Sequence, residues 1–159
     1  MHKKSWVHYV TKIVVDIMFY GGIIICLLMP YFAIAEPRHT HGFITRLFPN
    51  NFYGLLHPYN TSVFLSGLCV IYILWQFKKM LKSLLGGNPF VAENIKRFRK
   101  MAVASLIIAV LFAIRGMFFW TITSALIVII FSVATLFCLT LKDVFKQAVY
   151  YKEENDGVI

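Results

Sequence analysis

Four apolar runs, over residues 13–35, 60–77, 101–119 and 122–141, limit what this chain can fold into. At about 1.5 Å of helical rise per residue, the run from Ile13 to Ala35 spans a hydrocarbon core of about 30 Å. The second run, Ser62 to Phe77, is shorter and borrows Tyr59 to Thr61 to reach the same length. In lipid no water solvates the backbone N–H and C=O groups, so such runs must satisfy them internally, as helices. The chain is 59% hydrophobic and 14% charged, whereas soluble domains are about 45–50% apolar and about 25% charged. The fold class expected is all-α: one polytopic membrane domain over residues 1–159, an integral membrane four-helix bundle.

Charge placement gives the orientation. Thirteen of the sixteen Lys and Arg fall in residues 1–12, 78–100 and 142–159. The other three, Arg38, Arg46 and Arg115, fall between spans one and two or between spans three and four. The positive-inside rule puts the cation-rich segments in the cytoplasm, so both ends of the chain are expected inside. The net charge of +9 sits at the ends of apolar runs, which suits anionic headgroups, and no nucleic-acid-reading motif accompanies it. The lipid bilayer is the expected partner, with no direct nucleic-acid binding. A rival reading of the start, basic arm plus apolar run plus Ala33-Ile34-Ala35, is a cleaved secretory signal. Its uninterrupted apolar part exceeds the usual length of about 7–15 residues, and a retained span is expected.

The loop from 78 to 100 carries helical signals of its own. Phe77, Leu81, Leu84 and Leu85 share one face, while Lys78, Lys79 and Lys82 point elsewhere, so span two continues about two turns beyond the lipid. Gly86-Gly87 ends it, with glycine suited to a left-handed cap. Asn88-Pro89 restarts a helix, Asn as N-cap and Pro at the first helical position. The stripe Val91, Ile95, Phe98 and Ala102 then runs into span three, and Glu93 stands one turn before Arg97. The expected product is an elbow between two cytoplasmic amphipathic extensions. Residues 115–121 read as a tight hairpin in which Arg115 snorkels to the headgroups. Residues 142–159 read as a tail.

Several residues invite a chemical role. Asp16 lies about one turn inside span one, where a bare charge is costly. Lys12 or Lys142 could anchor it at the interface, and a proton or ion site is the sharper alternative. Glu36 is the expected partner of Arg115 on the outer side. His39, His41 and His57 share the outer loop with Glu36 and are weak candidates for a metal or acid-sensing site, against plain loop packing. Ala109, Ala113 and Gly116 share a face of span three and permit close helix approach, within the chain or in a homo-oligomer. Ser62, Ser66, Ser105, Ser124 and Ser132 read as helix–helix hydrogen-bonders and not as nucleophiles. Cys26, Cys69 and Cys138 lie in apolar runs with no C-x-x-C pair, as small hydrophobes would. Metal-protease, nucleophile-elbow and phosphate-loop motifs are missing, so neither an enzyme nor a cofactor is expected.

Two stretches resemble a known family. Gly87-Asn88-Pro89-Phe90, then Asn94 and the basic Arg97, Arg99 and Lys100, resemble its motif of Pro-Phe, Asn and a basic run entering a span. Val144-Phe145-Lys146-Gln147-Ala148, followed by Lys152 through Glu153, Glu154, Asn155 and Asp156 to Ile159, resembles its closing motif, with Gly157 where Leu is common. The family comprises small bacterial four-span proteins, the domain of unknown function 2975, and the resemblance covers residues 77–159. It implies the bacterial cytoplasmic membrane. Members are often encoded beside a small helix-turn-helix transcriptional regulator, which implies a regulatory or sensory membrane partner for such a protein. The contact residues would be Asn88, Pro89, Phe90, Asn94, Arg97, Glu153, Glu154, Asn155 and Asp156. The competing expectation is an accessory or immunity-type component of a transporter or envelope complex.

Overall fold

The computed structural model describes residues 6–34, 58–86, 90–118 and 120–156. They form four helices: α1 (Trp6–Ile34), α2 (Pro58–Leu85), α3 (Ala92–Phe118) and α4 (Ile122–Asp156). No strand occurs among the described residues. Each helix is long and apolar enough to cross a membrane. The 35 residues of α4 measure about 52 Å at 1.5 Å per residue. That is roughly 20 Å more than a hydrocarbon core requires.

The helices pack in chain order. α1 lies against α2, α2 against α3, and α3 against α4, the last pair most extensively. Among the described residues α1 and α4 do not meet, so the bundle is an open row with α3 inside it. Burial follows: 44% of the most apolar window of α3 is buried, against 11–17% in the other three. The buried stripe of α3 steps by threes and fours through Asn94, Phe98, Met101, Ala102, Ser105, Ile108, Ala109, Phe112 and Arg115. That spacing keeps one seam facing its neighbours. Met101 and Ala102 pack with Cys138 of α4 and with Ile73 and Phe77 of α2. The uncovered sides of α1 and α4 are large apolar residues such as Ile17, Ile25, Leu27, Ile130, Leu136 and Phe137. In a water-soluble protein so large an apolar exposure would be untenable, and in lipid it is the expected outer face.

Helix ends correct the sequence reading in three places. α3 begins at Ala92 instead of directly after Asn88-Pro89, and its first turn closes by Asn94 N–H donating to Val91 C=O at 2.9 Å. At the other end of the elbow, Gly86 N–H still donates to Lys82 C=O at 3.1 Å. Its φ lies outside the left-handed region, and an added Cβ would come within 3.4 Å of the Lys82 and Ser83 carbonyls. α2 thus ends next to Gly86 as the sequence suggests, and Gly87, the other half of the expected cap, lies outside the described residues.

The hairpin of 115–121 is shorter than expected. α3 runs on to Phe118, and Arg115 belongs to it, only 9% exposed. Thr121 caps α4, its Oγ1 accepting from Ser124 N–H at 3.2 Å, the standard N-cap arrangement. A polar cap so near the end of α3 leaves too few residues for a seven-residue turn. Residues 142–156 are likewise the continuation of α4 instead of a separate tail.

Candidate functional site

The polar and aromatic side chains gather at one end of the row, where α1 starts, α2 ends, α3 starts and α4 extends. Three contacts define that end. The first ties α1 to α2: Lys78 Nζ stands 2.8 Å from Asp16 Oδ1. Lys78 also donates to the Tyr20 hydroxyl at 3.4 Å. It lies 4.7 Å from the Tyr20 ring centroid and 5.3 Å from that of Phe19. The expected partners of Asp16, Lys12 and Lys142, are replaced by Lys78, and Lys142 pairs instead with Asp143 at 3.1 Å. Antiparallel packing of α1 on α2 brings Asp16 level with Lys78, about three turns from the start of α1 and about two from the end of α2.

The second contact crosses the elbow. Asn94 is completely buried. Its Nδ2 donates to Ser83 Oγ on α2 at 3.4 Å, and its Oδ1 accepts from Arg97 Nη1 at 3.1 Å. Arg97 in turn stands 3.9 Å from Glu93. A buried amide without partners would be costly, and here it joins the two arms of the elbow. The third contact is aromatic. Phe145 of α4 lies 5.0 Å from Phe98 and 5.6 Å from Phe90, centroid to centroid. Val149, one turn further on, is still buried, so the α4 extension is seated against the elbow.

Exposed cations surround this end: Lys82, Lys96, Arg99, Lys100 and Lys146. Glu153, Glu154 and Asn155 are exposed on the last turn of α4, which Asp156 closes. That turn projects beyond Phe145 by eight residues, about 12 Å of helix. The structure therefore brings Phe90, Asn94 and Arg97 together and sets the acidic tip apart from them. Asn88 and Pro89 lie outside the described residues, as do Glu36, His39, His41 and His57.

At the opposite end, Arg115 lies with its guanidinium carbon 5.3 Å from the Phe112 ring. Ala109 is buried, Ala113 is exposed, and a Cβ on Gly116 would lie 4.0 Å from Ser124 Cβ of α4. Ala109 and Gly116 thus serve packing within the chain. Ser66 and Ser124 bond inside their own helices, Ser66 Oγ to Ser62 C=O at 2.7 Å and Ser124 Oγ with Thr121 Oγ1 at 2.7 Å. Thr135 Oγ1 does reach another helix, standing 3.5 Å from Ala102 C=O on α3. Cys26, Cys69 and Cys138 are free thiols, and among the described residues no group of three His, Cys, Asp or Glu is placed to hold a metal.

Sequence reasoning missed Lys78 and Phe145 as organising residues. Depth counting was the available signal for Lys78, since Asp16 lies near the start of the first apolar run and Lys78 directly follows the end of the second. For Phe145 the signal was its spacing from Val149, one apolar position per turn into a segment otherwise rich in charge.

Four lipid-length helices in an open row, apolar outside and polar at their ends, define an integral, multi-pass, all-α membrane protein. The chain belongs to the family described as protein of unknown function DUF2975, whose sequence profile matches residues 45–159. That match reaches back through α2 into the segment before it, beyond the elbow and closing stretches. No curated protein and no solved structure matches the chain.

Proposed function

We propose that this protein is a regulatory membrane partner of a cytoplasmic protein, with a small helix-turn-helix transcriptional regulator as the fitting class, in the bacterial cytoplasmic membrane. The observation that carries the reading is the seating of Phe145 between Phe90 and Phe98. It joins the elbow and the α4 extension into one surface, ringed by cations and ended by Glu153 and Glu154. A passive span needs no such extension: about 20 residues cross the core, and α4 spends 35. The positive-inside rule gives this surface the cytoplasm. A DNA-binding protein is basic where it meets DNA, and the acidic tip is the part of this surface that complements such a patch.

The experiment is photocrosslinking in intact membranes, with the probe at Lys96, at Glu154 or at the outward-facing Leu136. One soluble DNA-binding protein captured at both Lys96 and Glu154, and not at Leu136, is the expected result. A cysteine at Lys96 that labels from outside the cell, or capture of membrane proteins alone at both positions, would overturn the reading. Capture of membrane proteins alone is the outcome expected of the accessory or immunity-type component.

A further inference from the structure

We propose that the cleft between α1 and α2 is a binding site for one anionic phospholipid, held by its phosphate headgroup in the leaflet on the elbow side. The cleft is a cavity of about 430 Å³. Lys12, Lys78, Lys79 and Lys82 line it together with Asp16, and its apolar lining is Val15, Phe19, Trp75, Leu81 and Leu85. One carboxylate stands among four ammonium groups, and it is taken by Lys78 at 2.8 Å. Among the described residues, Lys12, Lys79 and Lys82 are in no ion pair. Lys79 Nζ instead sits 3.4 Å from the centroid of the Trp75 ring.

The order of these groups along the cleft sets the ligand class. Because α1 and α2 run antiparallel with Asp16 level with Lys78, Lys12 and Lys82 lie at the outer mouth, with Leu81 and Leu85 beside them. Lys78 and Lys79 come next, and Phe19 and Trp75 lie deepest. From Lys12 to Phe19 is seven residues, about 10 Å of helix. Over that distance the lining passes from ammonium to aromatic ring, as a phospholipid passes from phosphate to acyl chain. Trp75 packs on Tyr72 with centroids 6.0 Å apart, an aromatic pair of the kind found where headgroups meet hydrocarbon. Basic clefts between spans at such a depth are suited to anionic headgroups. A soluble phosphate would be held by the lysines alone and would leave the apolar half of the cleft uncovered. The lipid satisfies both halves. This inference needs only that the chain spans a bilayer, and does not depend on the partner proposed above.

The test uses the full chain carrying Trp6→Phe and Trp120→Phe, so that Trp75 is the sole indole, in phosphatidylcholine nanodiscs. A tenth of the lipid is replaced by phosphatidylglycerol or phosphatidylcholine with brominated acyl chains. Brominated phosphatidylglycerol is expected to quench Trp75 several-fold more than brominated phosphatidylcholine at the same mole fraction. Lys12→Gln/Lys79→Gln/Lys82→Gln should bring the two lipids level, a loss of the whole several-fold preference. Lys96→Gln/Lys146→Gln/Lys152→Gln removes the same charge outside the cleft and should keep the preference. Equal quenching by both lipids in the unaltered cleft, which involves no folding variant, overturns the proposal. So does equal loss in both triple variants. Glycerol phosphate or inorganic phosphate at millimolar concentration should leave the quenching in place. If either abolishes it, the site takes a soluble anion and the lipid assignment fails.

Discussion

Asp16 and Lys78 form an ion pair at 2.8 Å that joins α1 to α2 while each side chain stays about one-third exposed. Neither residue is buried deeply enough for its charge to be prohibitive, and neither is free in solvent. The pair is therefore a clasp between two helices near one end of the row. It holds α1, which touches the rest of the described chain only through α2.

The clasp predicts coupled effects. Asp16→Asn should lower the melting temperature in mild detergent by about 2–4 °C, the shift typical of a modest loss in a chain of this length. Lys78→Gln should lower it further, because the rings of Phe19 and Tyr20 lose their cation as well. The double variant should melt no lower than Lys78→Gln alone, since contacting partners are not additive. Fully additive losses would show that the two charges act independently.

The fully buried Asn94 makes a sharper prediction. Asn94→Ala deprives Ser83 and Arg97 of a shared partner inside the elbow and should cost about 1–3 kcal/mol in mixed-micelle denaturation. Ser83→Ala should cost less, because the 3.4 Å bond it removes is long. A loss from Ser83→Ala equal to that from Asn94→Ala would mean that the amide acts through Ser83 alone and that its bond to Arg97 adds nothing.

Much of this was legible in the residues. Apolar run length alone gives four helices, and the Lys and Arg count separates one end of the row from the other. Phe77, Leu81 and Leu85 announced that the helix continues past the second apolar run, and α2 does continue to Leu85. The exact ends were not legible, because Arg115 looks like a loop residue in a sequence and is a helix residue once Thr121 caps α4. Nor was the burial of Asn94. Its neighbours Val91 and Ile95 are more apolar, yet both are less buried. Asn94 sits where the two arms of the elbow meet and bonds both Ser83 and Arg97, a placement that no periodicity encodes. The open order of the row was equally hidden, since all four runs have similar hydropathy and only packing singles out α3.

Glycine placement separates α1 residues that look alike in sequence. A Cβ at Gly22 would rest 3.6 Å from Ile71 Cγ1, and one at Gly67 3.5 Å from Cys26 Sγ, both ordinary contacts, while Gly21 has nothing within 4 Å. Gly67→Ala should therefore be tolerated, with a gain of up to about 1 kcal/mol from helix propensity. Gly67→Leu should push α1 away from α2 and expose Cys26. In a Cys69→Ser/Cys138→Ser background, maleimide labelling of Cys26 should stay slow in Gly67→Ala and Gly21→Leu and become fast in Gly67→Leu. Fast labelling in Gly21→Leu would mean that α1 packs through another face.

Phe145 bears on both structure and proposed function, and its two roles can be told apart. Phe145→Ala removes ring contacts to Phe90 and Phe98 together, and for a half-buried ring the loss should fall near the lower end of the usual range, about 3 kcal/mol. Phe98→Ala/Phe145→Ala should cost less than the sum of the single losses, because one contact is removed twice. Phe145→Leu retains apolar volume without the ring and should recover much of the stability. If the joined surface is what a partner reads, Phe145→Leu should keep the protein folded in membranes yet weaken crosslinking at both Lys96 and Glu154. Undiminished crosslinking at both positions would show that the partner, if captured, reads the α4 tip and the elbow separately. Loss at Glu154 alone would place the contact on the extension, whose angle depends on the ring, and leave the elbow with a purely structural task.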